Sequence, residues 1–252
     1  MSFDESLGRL AQLTDAELQR EWTFRGTQMD LGYALYHALE QEQRAVIEAP
    51  RGPTESARIL SLAQSAFGEL RGLLAGRPDA LLDRAPALGE WTVRETLAHA
   101  IGVERSYRAQ CQYAAGRSAA EPVKLPEERR PQPDPVHTAG GVAEILERFA
   151  EQRAETDAKL AALDETALGR PTYWGGAEVD VRHRLHRFAS HIAEHTNQCQ
   201  KAVRALGAFG GDARAIARRI GAMRGLHERR TDDARLRALD AELAEKARIT
   251  QS

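Results

Sequence analysis

The segment His191-Ile192-Ala193-Glu194-His195 places two histidines four residues apart. On a helix that spacing puts both imidazoles on one face, about 6 Å apart, where they can serve one divalent metal. His195 also falls in an apolar seam. A buried imidazole is costly unless it has a partner, so it needs either a hydrogen bond from a neighbouring helix or a metal. A third histidine, His99, lies two turns inside another helical segment. That segment opens Trp91-Thr92-Val93-Arg94-Glu95, with Thr92 and Glu95 spaced as a capping box. His99 flanks the seam position Ala100 and can point across to the His191/His195 helix. Three imidazoles from two helices leave a fourth coordination position open, as catalytic zinc sites do and closed structural sites do not.

Other residues near these three read differently. Glu194 completes a His-x-x-Glu-His string, which also occurs in inverted zincin peptidases. Such a site needs a later glutamate ligand, and Glu228, Glu242 and Glu245 sit in a polar arm. Glu194 is expected on a solvated face. Glu104 is five residues from His99 and points roughly 140° away around the helix. His183 and His186 lie too far before His191 to join. Cys199 reads as a small seam residue one turn after His195. Tyr173 and Trp174 could roof the open position or plug the packing, and Arg94 and Arg182 could hold a substrate carboxylate. No nucleophile, base or triad stands out, so the catalytic residues are unknown.

Four long helices must position these groups. Their apolar residues recur every three or four positions over 54–75, 92–115, 138–163 and 179–206. The last stripe is the cleanest: Val181, Leu185, Phe188, Ile192, His195, Cys199, Ala202 and Leu206. Breaks separate the helices: Pro50, Gly52 and Pro53; Pro78 and 86–89; the stretch 121–135 with five prolines; 171–176; and Gly207, Gly210 and Gly211. The expected fold class is all-α: a four-helix bundle over 55–207 with a long crossover between its second and third helices. Residues 1–50 read as an N-terminal helical extension, with Thr14 and Glu17 as another capping box. Residues 208–252 read as a C-terminal helical arm carrying Leu236, Leu239 and Leu243. There is no convincing strand pattern and no clear internal repeat.

Composition narrows the function classes. The 252 residues are 42% hydrophobic and carry a net charge of -2, so nucleic acid is not expected as a partner. Arg214, Arg218, Arg219 and Arg224 read as a solvated helix face. No apolar run approaches the ~20 residues that span a bilayer, and the acidic start MSFDESLGRL does not read as a signal peptide. The two cysteines, Cys111 and Cys199, are expected as reduced thiols, and the location as cytoplasmic.

The segment Trp-Thr-Val-Arg-Glu-Thr-Leu-Ala-His at 91–99, paired with His-x-x-x-His near the end of the fourth helix, resembles the DinB-like superfamily. That superfamily includes DNA-damage-inducible DinB proteins, bacillithiol transferases and mycothiol-dependent maleylpyruvate isomerases. The resemblance covers about residues 55–207. It implies a divalent metal, zinc first and nickel second, on His99, His191 and His195, and a bundle with a long crossover. It further implies a low-molecular-mass thiol as cofactor and an electrophile as substrate, for S-transfer or isomerisation. The alternative is a non-catalytic bundle tied by metal, whose added helices bind a partner or a second copy as a homodimer.

Overall fold

The computed structural model describes residues 1–249. Ten α-helices and two short hairpins follow one another. The order is α1 (Phe3–Leu10), α2 (Asp15–Leu18), β1 (Glu21–Phe24), β2 (Thr27–Asp30), α3 (Leu31–Glu48), α4 (Glu55–Leu74), α5 (Val93–Gly116), α6 (Val142–Leu160), α7 (Glu165–Leu168), β3 (Pro171–Trp174), β4 (Ala177–Asp180), α8 (Val181–Ala205), α9 (Asp212–His227) and α10 (Asp233–Ile249). No described helix is long and apolar enough to cross a membrane.

α4, α5, α6 and α8 form the expected four-helix bundle. Its core joins Phe67 of α4, Leu97 and Ile101 of α5, Phe149 of α6, and Leu185, Phe188 and Ile192 of α8. The capping boxes at Thr14/Glu17 and Thr92/Glu95 form as expected, with side chain and backbone bonded reciprocally. The proline-rich crossover runs from α5 to α6 through short 3-10 turns at Glu127–Arg129 and Pro135–Thr138. Arg94 holds its far end by donating to the Thr138 and Gly140 carbonyls.

The two hairpins depart from the expectation of no strands. Each has only four residues per strand, too few for an alternating pattern to emerge. Each turns tightly with both central residues at positive φ: Arg25 and Gly26 in the first, Gly175 and Gly176 in the second. Turns of this kind match the twist of paired strands.

The hairpins also expose a repeat. The order α2–β1–β2–α3 recurs as α7–β3–β4–α8 at an offset of 150 residues, from Asp15 to Glu165 and from Leu31 to Val181. Local chemistry repeats with it. Leu31 N–H donates to the Arg20 carbonyl and Val181 N–H to the Arg170 carbonyl. Asp30 and Asp180 cap the following helices by accepting from Tyr33 and His183 N–H, each at 2.7 Å.

The N- and C-terminal helices are therefore not two separate arms. α3 packs on α9 as α8 packs on α4, and α10 packs on α1 as α5 packs on α6. Together α9, α10, α1 and α3 make a second, smaller bundle in permuted chain order, with its own core of Leu7, Leu10, Leu35, Ile216, Ile220 and Leu243.

The bundles join where α4 crosses α9. A Cβ added at Gly68 would lie 2.0 Å from the Gly221 carbonyl oxygen, and one at Gly225 would lie 2.3 Å from that of Gln64. Glycine is required there because the helix backbones touch. This packing corrects the expected solvated arginine face. Arg214 and Arg224 are buried, the first donating to the Ala75 carbonyl and the second paired with Glu42 and Asp240.

Candidate metal centre

His191 and His195 project from α8 and His99 from α5, and their nearest ligand nitrogens all lie within 4.8 Å of one another. His191 Nε2 and His195 Nε2 are 3.0 Å apart. Tetrahedral zinc with bonds of about 2.0–2.1 Å spaces its nitrogens at roughly 3.3 Å, so small side-chain rotations fit this set to a metal. The i, i+4 spacing brings the α8 pair together. The Thr92 cap sets where α5 begins and so where His99 falls along it.

The surroundings suit neutral imidazoles with free lone pairs. Burial pushes His191 down to about 3, with His195, His99 and Arg187 adding to the effect. Partial desolvation of its ring, on a residue otherwise exposed, also lowers His99, and His195 adds to it. His195 Nδ1 is 2.9 Å from Gln198 Oε1. Since a carboxamide oxygen only accepts, Nδ1 carries the proton and Nε2 is left to bind metal. The Gln198 contact was not read from the sequence, although its position three residues beyond His195 on the same helix face would have signalled it.

The cluster is covered on one side only. His191 and His195 are buried, whereas His99 is exposed and lines a cavity of about 520 Å³ under the proline-rich crossover. Ala98 and Gly102 leave room for it on α5, and Arg105, Gln132, Asp134 and His137 give it polar groups. Trp91 lies against His99 and Tyr107 against His191, with ring centroids 5.2 and 5.6 Å apart. Trp91 opens the motif noted in the sequence, whereas Tyr107 was not singled out there.

The remaining candidates fall elsewhere. Tyr173 and Trp174 border a different cavity, with Trp174 packed on His183 and Arg187. Arg94 is committed to Asp83 and to carbonyls of the crossover, and Arg182 to Glu55. Glu194 is largely exposed beside Arg187. Glu104 turns into the core, where it pairs with Arg153 at 2.6 Å and accepts from Thr156. Cys199 is a buried free thiol in the bundle core, and burial pushes it up to about 12.

The second bundle lacks the centre. At the 150-residue offset His191 and His195 correspond to Gln41 and Ala45. Counting from the α10 cap Asp232 as from Thr92, His99 corresponds to the buried Leu239. Among the described residues, the three histidines are the one cluster able to hold a metal.

The Bacillus subtilis protein YfiT, described as a probable metal-dependent hydrolase with an unusual four-helix bundle topology, aligns over 63% of this chain and 93% of its own, at 17% identity and a TM-score of 0.47. A comparison with curated proteins gives no match. The family model of the DinB superfamily matches residues 63–199, which is more than half of the chain and contains all three histidines. The chain belongs to the DinB superfamily.

Proposed function

We propose that this protein is a metal-dependent transferase or isomerase that uses a low-molecular-mass thiol, with zinc as its metal and nickel as the second choice. One observation carries the reading: the histidine cluster is buried on its α8 side and opens at His99 into a cavity large enough for a small molecule. A purely structural metal would be sealed by side chains.

When bound, the metal would lower the pKa of a thiol at its open position and favour the nucleophilic anion. The chain's own residues supply the rest. His99, His191 and His195 hold the ion as neutral donors, which leaves its positive charge available to the thiolate. Gln198 fixes the His195 tautomer. The crossover keeps water from one side of the cavity and offers Arg105 and His137 as polar contacts for the electrophile.

The test is thermal-shift screening of zinc-loaded protein with small thiols, followed by a conjugation assay with chlorodinitrobenzene. A stabilising thiol whose conjugation rate falls to background in His191→Ala is expected. Cobalt-substituted protein should gain a sulfur-to-cobalt charge-transfer band with that thiol. No band and no thiol-dependent turnover would favour the non-catalytic, metal-tied bundle. Thiol-independent ester cleavage would point instead to water as the nucleophile.

A further inference from the structure

Seven residues before His191, on the same face of α8, Arg184 is 2% exposed and pairs with no carboxylate among the described residues. Its guanidinium lies over the Tyr107 ring at 4.1 Å, and its Nε is buried with no hydrogen-bond partner. Burial lowers its pKa, offset only in part by Cys111 and Tyr107. Leaving a buried cation without an acid is costly, and such a group ordinarily persists where an anion completes it.

Arg184 borders a cavity of about 370 Å³ between α5, α8, the crossover and the β3–β4 hairpin. Two further cations reach it from the crossover. Lys124 makes no ion pair among the described residues. Arg130 pairs with Glu127 but keeps its Nε buried and unpartnered. The buried Thr172 adds a hydroxyl, while Tyr173 and Trp174 present exposed aromatic surface at the rim.

We propose that this cavity binds a small organic anion, its carboxylate or phosphate held by Arg184, Arg130 and Lys124 and its apolar body against Tyr173 and Trp174. Three cations facing one carboxylate give the site a net demand for negative charge, and a planar guanidinium suits either head group. The site lies about 10 Å along α8 from His191, from seven residues at 1.5 Å each. Tyr107 touches both ends, since its ring contacts His191 as well as Arg184. The anion site includes none of the three clustered histidines and is tested without metal.

Calorimetric titration of the chelator-treated full chain with inorganic phosphate and, separately, with phenylacetate is the experiment. Saturable binding of at least one anion is expected at or below about 10 mM. Tighter binding of phosphate would assign a phosphate head group, and tighter binding of phenylacetate a carboxylate with an aromatic body. Arg184→Gln should weaken it about tenfold or more. The double variant Lys124→Gln/Arg130→Gln, altered at the rim and not in the core, should weaken it about tenfold with an unchanged melting temperature. No binding of either anion by the wild type would overturn the assignment. So would unchanged affinity in Arg184→Gln or, if that variant does not fold, in the rim double variant.

Discussion

Replacing His195 with alanine separates a metal ligand from a core histidine. In the metal-free protein the change removes a nearly buried ring and its hydrogen bond to Gln198, so a loss of stability without zinc is uninformative. The informative quantity is the melting shift caused by zinc. A ligand at a hundredfold excess over its Kd stabilises by about 2.7 kcal/mol. For a chain of this size each kcal/mol raises Tm by roughly 2–4 °C, so zinc should raise the wild type by about 5–10 °C. Losing one of three protein ligands should weaken binding about a hundredfold or more, since even losing a supporting contact costs about 10–100-fold. At the same zinc concentration the site is then no more than half filled, the gain falls to about 0.4 kcal/mol, and the shift shrinks to about 1 °C. Differential scanning fluorimetry of both proteins, with and without zinc, gives all four values, and elemental analysis gives the stoichiometry. An equal zinc shift in His195→Ala, or one zinc per chain retained by it, would refute the assignment of this ligand.

Four further outcomes follow from the same geometry. Gln198→Ala should weaken zinc binding about 10–100-fold in competition with a chromophoric chelator while leaving one site per chain. Gly68→Ala should cost about 3 kcal/mol or more and lower Tm by roughly 6–12 °C, because its Cβ meets the Gly221 carbonyl; Gly102→Ala, which meets nothing within 4 Å, should not lower it. Cys111 and Cys199, both raised to about 12 by burial, should resist Ellman's reagent at pH 8 until the chain is unfolded. Burial alone would raise the Glu228 carboxyl, but Arg71, Gln64 and nearby arginines outweigh it and leave the pKa depressed. Its stabilising contribution is therefore present above the unfolded value near 4.5 and lost as pH falls below it, so Glu228→Gln should flatten the acid limb of a urea-stability profile.

The parts of the fold legible in the sequence are those set by neighbours in the chain. The Thr92/Glu95 and Thr14/Glu17 caps, the four long stripes, and the His191/His195 pair each depend on contacts three or four residues apart, and all form as read. The partner of that pair, His99, was legible because its cap fixes its place on α5. What stayed hidden depends on distant packing. The repeat retains only scattered identities, such as Leu18 with Leu168, Arg20 with Arg170 and Gly26 with Gly176, and its second bundle is assembled from the two ends of the chain around the first. Arg214 and Arg224 look like surface residues because their partners come from Ala75 and Glu42, far away in sequence. Tyr173 and Trp174 precede α8 directly, yet the hairpin carries them to the Arg184 end and away from His191.

The second bundle, which lacks counterparts of the three clustered histidines, still bears on the metal centre through α4, which both bundles contact. One side of α4 packs against α8, which carries two of the three histidines, and another against α9. A buried polar chain runs through it. Glu104 on α5, the helix of His99, pairs with Arg153 on α6, and Arg153 donates to Gln64 on α4. Gln64 in turn donates to Glu228 at the end of α9, which pairs with Arg71, itself bound to Asp4 on α1. From Glu104 to Arg71 each link is a charged or amide group largely removed from water, while Asp4 at the end is exposed, so breaking an inner link leaves its neighbour buried and unpaired, a costlier event than losing a surface contact. With the glycine crossing fixing the distance between α4 and α9, this chain ties α5 to the second bundle. The second unit lacks residues that would hold a metal and makes contacts that hold α4 and α5 in place, which fits a brace for the histidine site.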